Sequence, residues 1–339
     1  KKIGVNSENK GMLAIIITSI IICGLLGTLA GGNAVIAPVI IPVVAAVGLA
    51  PSTVTTLFKV SGEVGLMVGP LTAVTLATEA VCHISYGSLM LWAVIPFSLV
   101  WLLSTFYAAK LNQKKNRGIE TYEITEDMLD INKIVITKKE KITTLIFIVS
   151  FLLLVVGGIL TKQGTDYALI VMAILSIVIA ICSRLEIDHA LDTFAEGASI
   201  FILFQVMFDL IDVGGGFTAL GNLLKGLIGG GGKFAVMMVA SLVGGFGIEA
   251  AAAAEINLVA KLFGGLAVQV HLPMVIFATT MLAATRITGA VYPTANLAGQ
   301  MGIARCTNMK DALKAAWIGA AALWIWVIVW SLVGPIIAG

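Results

Sequence analysis

From Gly11 to Ala50 the chain carries no charged side chain. In helical form, ~20 such residues already span the hydrocarbon of a bilayer. Composition shows that this run is typical of the chain. Hydrophobic residues make up 59% and charged residues 12%, against roughly 25% charged in soluble domains. A chain of this kind cannot hide its apolar surface from water, so it reads as an integral membrane protein. Alternating ten-residue polar/apolar strands are absent. In hydrocarbon every backbone polar group needs an internal partner, so the pattern calls for helices rather than a barrel. The expected fold class is an all-α polytopic membrane protein.

One pattern occurs twice. Gly31-Gly32-Asn33 separates two apolar runs, Gly11 to Ala30 and Ala34 to Ala50. Either the first run spans the membrane, or the two runs form a re-entrant hairpin with the glycines at its tip. Three residues are too few for a solvated loop between full spans, yet they suffice for a tight turn at membrane depth. The hairpin is the expectation. Thr53 to Val81 follows, with Ser52 expected as its helix cap. It exceeds one span of ~20 residues and is expected to break at Ser61-Gly62-Glu63 and Gly69-Pro70. The second copy has apolar arms Lys233 to Val243 and Ala250 to Leu262 around Gly244–Gly247, with Glu249 at the tip. Its long segment, 272–304, is expected to break at Thr288-Gly289 and Tyr292-Pro293. Paired breaks at corresponding positions of two halves point to a transport site.

These signals divide the chain. Repeat one covers 1–111, as hairpin 11–50, broken helix 53–81 and span 85–111. A polar loop, 112–142, carries Lys114, Lys115, Arg117, Lys133, Lys138, Lys139 and Lys141, which marks it as cytoplasmic. Repeat two covers 143–339. It holds spans 143–160, 167–183 and 198–213, arm 217–228, hairpin 233–265, broken helix 272–304 and span 315–337. The first hairpin would enter from the cytoplasm and the second from outside, which makes the repeats inverted. Repeat two has three helical elements before its hairpin and repeat one has none. By that symmetry, roughly the first hundred residues of an intact transporter are expected to be missing here. The expected location is the cell (cytoplasmic or inner) membrane, as a multi-pass protein.

The glycine-rich hairpin tips, the proline-broken span and the basic central loop resemble the ion transporter superfamily. Within it the layout is similar to the anaerobic C4-dicarboxylate carrier C group, with gluconate permeases and Na⁺/H⁺ antiporters as relatives. Members of the dicarboxylate/sodium symporter branch carry a Ser-Asn-Thr tip. Here the tips read Ala30-Gly31-Gly32-Asn33-Ala34 and Gly245-Phe246-Gly247-Ile248-Glu249, and Asn33 is the shared residue. The resemblance implies a dimeric elevator transporter, in which hairpins and broken helices move as a unit against a scaffold.

Physical chemistry assigns the candidate substrate and ion residues. Half-helix N-termini at the tips (Gly32, Gly247) and breaks (Gly69, Pro70, Pro293) present N–H groups suited to a carboxylate. Asn33, Ser61, Thr72, Thr288, Thr294 and Asn296 offer hydrogen bonds to substrate or ion, or else glue helices together. Arg286 can grip a carboxylate bidentately, and Lys59 is a point charge. Lys59 and Glu63 are spaced to pair on one helix face. That pair is either structural or part of a charged site, and ionisable groups within a membrane lean functional. Glu63 and Glu249 can carry protons, because burial disfavours the charged carboxylate.

The expected function is a secondary active transporter of a small organic anion, a mono- or dicarboxylate, coupled to H⁺ or Na⁺ by alternating access. The alternatives are a Na⁺/H⁺ antiporter, suggested by Glu63, Glu249 and Glu255, or a non-transporting membrane scaffold. No Ser-His-Asp, HExxH or phosphate-loop pattern is present, so no enzyme is expected. The four cysteines, Cys23, Cys82, Cys182 and Cys306, lack CxxC spacing and read as small packing residues. No cofactor and no resident metal is expected beyond the coupling ion. The expected partners are the anion, the cation, the bilayer and a second copy of the chain. Net charge of +2 says little about partners, and no nucleic acid is expected among them.

Overall fold

The computed structural model describes residues 7–123, 137–161, 165–183, 187–246 and 252–338. Among the described residues there is helix and no strand. The chain divides into two compact units. One is Lys1–Ile131 together with Asn222–Gly339, and the other is Asn132–Gly221. Among the described residues five helices are long and apolar enough to cross a membrane, namely Glu8–Leu26, Leu29–Ala46, Tyr86–Asn116, Met274–Val291 and Met309–Ile337. The pair Pro51–Val68 and Ala73–Cys82 passes the same test together, bent by 47°. The chain is a helical, multi-pass membrane protein.

The larger unit begins with α1 (Glu8–Leu26) and α2 (Leu29–Ala46). The turn between them is Gly27-Thr28, not Gly31–Asn33 as the sequence suggested. Gly27 takes φ 67°, and its N–H closes onto the Cys23 carbonyl, the left-handed helix end that glycine favours. Thr28 then caps α2 by accepting from the Gly31 N–H at 3.4 Å. Gly31, Gly32 and Asn33 lie inside α2. Gly32 is there for closeness, since a Cβ on it would sit 2.6 Å from Cys23 Sγ.

α3 (Pro51–Val68) is the axis of this unit and is buried over almost its whole length. It runs unbroken through Ser61-Gly62-Glu63, where a break was expected. Gly62 serves close approach to Leu29 and Asn33 of α2, and Gly65 close approach to α1. A Cβ at Gly65 would lie 2.6 Å from the Ile20 carbonyl oxygen, so the two backbones touch, as small residues allow between membrane helices. The N-cap of α3 is Ala50, not Ser52. Pro51 at the first position lacks an N–H that would be unpaired there anyway.

The expected break at Gly69-Pro70 is present. α3 ends at Val68 and α4 (Ala73–Cys82) starts after the Thr72 cap. Here the chain turns because Pro70 cannot continue the hydrogen-bond ladder. α5 (Tyr86–Asn116) follows. Its segment Met90–Val94 is π-helical, with the Ile95 N–H bonded to the Met90 carbonyl. Pro96 explains the widened turn, because it offers the Trp92 carbonyl no donor. α5 continues to Asn116, into the stretch expected to be loop 112–142. Asn112, Gln113 and Asn116 are buried there.

In the smaller unit α6 (Lys138–Thr161), α7 (Thr165–Ser183) and α8 (Ile187–Val213) cover the three expected spans. α8 absorbs the acidic stretch before residue 198 into one helix, because no proline separates the two. α9 (Gly216–Ile228) follows, beginning in this unit and ending in the larger one.

Back in the larger unit are α10 (Gly232–Gly245), α11 (Ala252–Gln269), α12 (Met274–Val291), α13 (Ala295–Ile303) and α14 (Met309–Ile337). The tip expected between α10 and α11, with Gly247 and Glu249, lies outside the described residues. α12 is helical through Thr288-Gly289, so of the two breaks expected there only the one at Tyr292-Pro293 is present. α3 packs against α1, α2, α4, α5, α13 and α14, while α12 packs against α4, α5, α10, α11, α13 and α14.

Candidate functional site

Lys59 and Glu63 fall one turn apart on α3, so their side chains meet on one face. Lys59 Nζ stands 3.0 Å from Glu63 Oε1, and both side chains are buried, at 1% and 3% exposure. Arg286, on α12, brings Nη1 to 3.9 Å from Glu63 Oε2 and is 5% exposed. That distance is an ion pair without a hydrogen bond. Glu63 Oε2 is buried and has no hydrogen-bond partner among the described residues. Lys59 Nζ also lies 5.8 Å from the centroid of the Trp101 ring on α5, a cation–π distance.

One carboxylate thus faces two cations in an interior where each buried ion costs several kcal/mol to desolvate. The guanidinium of Arg286 donates Nε to Thr285 Oγ1 at 3.1 Å. Its paired N–H fork is not filled by Glu63. Around α3 lie further buried polar atoms without a hydrogen-bond partner, namely Ser61 Oγ, Ser98 Oγ, Trp101 Nε1 and Thr105 Oγ1. Ser98, Trp101 and Thr105 are spaced three and four apart, so they share one face of α5. The spacing of these three residues is a signal present in the sequence, within the stretch 85–111 expected as a span.

The other expected site residues are placed differently. Asn33 is fully engaged by protein. Its Oδ1 accepts from Ser19 Oγ at 2.6 Å, and its Nδ2 donates to the Phe58 carbonyl at 2.9 Å and to Gln300 Oε1 at 2.6 Å. It ties α1, α2, α3 and α13 together. Gln300, which the sequence did not single out, is its partner.

Thr72 and its neighbours satisfy the carbonyls that the Gly69-Pro70 break sets loose. Thr72 donates to Leu66, Thr75 to Met67 at 3.0 Å and Tyr86 to Val68 at 2.7 Å. The Thr72 N–H reaches the Gly69 carbonyl at 3.3 Å. Thr288 lies 3.0 Å from the Ala284 carbonyl and 3.2 Å from that of Gly244, bridging α12 to α10. Thr294 caps α13 through the Leu297 N–H at 3.3 Å. Pro293 and Asn296 are exposed. Of the expected site residues, the structure therefore gathers Lys59, Glu63 and Arg286.

A second polar cluster closes the end of α5. Gln113 Oε1 accepts the Ala50 N–H at 2.8 Å, and Glu120 Oε2 accepts that of Ser52 at 2.9 Å. These two side chains cap α3, whose own N-cap residue has none to offer. Glu120 also accepts from Asn308 at 2.5 Å. Lys115 pairs with Asp311 at 2.5 Å and Arg117 with Glu8 at 2.6 Å. The cluster fastens α1, α3, α5 and α14 where the chain leaves for the basic stretch. Capping by residues so distant in sequence leaves no local signal.

No protein-family model and no curated protein sequence matches the chain.

Proposed function

We propose that the chain belongs to a secondary active transporter of a small organic anion, a mono- or dicarboxylate, coupled to H⁺ or Na⁺ by alternating access. One observation carries the reading: Lys59 and Arg286, both buried, converge on a single carboxylate on a helix that breaks at Gly69-Pro70. Buried cations in a bilayer need an anion, and a guanidinium fork suits a carboxylate. The breaks at Gly69-Pro70 and Tyr292-Pro293 support inverted repeats with an elevator-type movement, in which α3 with α4 and α12 with α13 are the broken pairs. A homodimer in the cytoplasmic or inner membrane, with residues 112–142 on the cytoplasmic side, completes the proposal.

The second reading is a Na⁺/H⁺ antiporter. It is favoured by two buried carboxyl side chains, Glu63 and Glu255, where an anion carrier requires only the cations. Uptake of labelled mono- and dicarboxylates into proteoliposomes, with and without Na⁺ and with and without a pH gradient, separates the two. Concentrative uptake of a carboxylate is the expected result. Na⁺-driven proton movement without uptake of any carboxylate overturns the proposal in favour of the antiporter.

A further inference from the structure

Resting on the anion-carrier reading, we propose that Glu63 is a built-in stand-in for the substrate's carboxylate. It occupies Lys59 and Arg286 while the site is empty, and its protonation hands both cations to the incoming anion, so the coupling ion is H⁺.

The contacts are those a bound carboxylate would make, and they are incompletely made. Oε1 takes the Lys59 ammonium at 3.0 Å, while Oε2 stops 3.9 Å from Arg286 Nη1. A side chain fixed to α3 reaches one cation fully and the other only electrostatically. A substrate carboxylate not tied to α3 can close on the guanidinium bidentately.

Charge then sets the stoichiometry. Lys59, Glu63 and Arg286 sum formally to +1. An anion arriving alone would compete with Glu63 for the same two cations, and a carboxylate that loses them is left buried without a counter-ion, the setting in which burial disfavours the charged form. When one H⁺ arrives with one carboxylate, Glu63 forms an O–H bond, releases both cations, and leaves the formal sum at +1. Loaded and empty sites then carry the same formal charge. No other bond is made or broken.

Na⁺ fits poorly in this role. It would enter beside two cations. The carbonyls of Leu66, Met67, Val68 and Gly69, which an unwound helix could offer to an ion, accept protein hydrogen bonds.

The other titratable groups on elements packed against α3 are engaged elsewhere or lie near the helix ends. Glu8 pairs with Arg117 and Asp311 with Lys115. Cys23 Sγ donates to Asn33 Oδ1 at 3.5 Å. Glu79, near the end of α4 beyond the break, has a buried Oε1 without a hydrogen-bond partner among the described residues. Lys10 lies in the first turn of α1. Lys110 on α5 lies over Phe106 and Lys114 is in the last turn of that helix. Lys310 and Lys314 are in the first turns of α14, and α2 and α13 carry no titratable group. Of the groups on elements packed against α12, Glu255 of α11 is a buried carboxyl, so it serves as the comparison.

The test uses the intact protein, with lactate and malate as probes. Binding is followed by calorimetry in detergent from pH 5.5 to 8, and proton uptake by a pH-sensitive dye. In the wild type, one H⁺ is expected per carboxylate seated at the site. Above the midpoint, lactate affinity is expected to fall about tenfold per pH unit, as linkage to one proton requires. Glu63→Gln, a neutral isostere, is expected to bind lactate with no pH dependence and no proton uptake. Glu63→Asp is expected to keep proton uptake at a shifted midpoint, which excludes misfolding as the cause. Glu255→Gln is expected to behave as wild type. Proton uptake that survives in Glu63→Gln, or that vanishes in Glu255→Gln, overturns the proposal. So does wild-type binding with no pH dependence, which leaves the carrier reading standing. Binding of neither probe, with uptake of no carboxylate into proteoliposomes, sinks the carrier reading itself and this proposal with it.

Discussion

Arg286 Nη1 stands 3.9 Å from Glu63 Oε2, across the gap between α12 and α3, with both side chains buried. No hydrogen bond joins them, so their attraction is electrostatic and works in a medium that screens it weakly. The two helices come from opposite ends of the chain and each is followed by a break. This relation is therefore a measurable tether between the two broken helices.

A double-mutant cycle of Glu63→Gln and Arg286→Gln, read by unfolding in detergent, should give a coupling above about 0.5 kcal/mol, as for residues in contact. Arg286→Ala alone should cost about 3 kcal/mol, the lower end for breaking a buried pair, because Lys59 still holds Glu63. It should also abolish carboxylate uptake. Arg286→Lys should keep the stability better than the uptake, since it keeps the charge and loses the fork. Additive single effects in the cycle would mean that the pair is not coupled in the native protein.

Asn33→Ala should destabilise the protein by about 1–3 kcal/mol for the polar groups it orphans. Gln300 Oε1, the Phe58 carbonyl and Ser19 Oγ all lose a partner. Asn33→Asp should be worse, because it turns an acceptor toward two acceptors. Gln300→Leu should recover part of the Asn33→Ala loss, since it removes one of the orphans. If Asn33→Ala leaves the melting temperature unchanged and abolishes substrate binding, Asn33 is a ligand group and not a structural tie.

The helical membrane class was legible because apolar length is a local property. The Lys59–Glu63 pair was legible too, since i,i+4 spacing fixes a shared face. Arg286 could be named as a buried cation, but its partner could not, because pairing depends on how α12 sits against α3. Glycine was the main source of error. Gly27 serves a left-handed turn, while Gly32, Gly62 and Gly65 serve close approach, and a single sequence writes both uses with the same letter. The letters alone therefore suggest a break at Ser61-Gly62-Glu63 and a turn at Gly31–Asn33, where the structure has continuous helix. The helix stops at Pro70 and Pro293 but runs on past Pro38, Pro42, Pro96 and Pro335, so the missing N–H marks a candidate break and the surroundings decide whether the chain turns. The capping of α3 by Gln113 and Glu120 had no sequence signal at all.

Gly65→Ala tests the close-approach reading. Its Cβ would meet the Ile20 carbonyl oxygen at 2.6 Å and the Gly24 nitrogen at 3.0 Å. Both are backbone atoms, so α1 or α3 has to move, at about 1–3 kcal/mol. Gly87→Ala, with nothing within 4 Å of its added carbon, is the matched control and should be close to neutral. Thermal unfolding of the two variants in the same detergent compares them. Equal melting temperatures would show that the α1–α3 contact is looser than the structure has it.

Tyr122 sets a limit on alkaline stability. It lies in the segment after α5, with its hydroxyl buried and lacking a hydrogen-bond partner among the described residues. Burial, the first cause, pushes the phenol above its ordinary value, and nearby Cys306 and Glu120 add to the effect. Cys306 is itself raised by burial. A group whose folded value is raised gives its full stability below the unfolded value and loses it as pH climbs toward the folded one. The loss should therefore begin near pH 9 for the thiol and near pH 10 for the phenol. Tyr122→Phe removes an unpartnered hydroxyl along with the titration. It should match wild type at pH 7 within about 1 kcal/mol, the scale of removing a polar group without a partner. At pH 10.5 it should melt higher than wild type. Melting temperatures of both proteins from pH 7 to 11 give the comparison, and parallel curves over that range would mean that the Tyr122 hydroxyl is open to solvent.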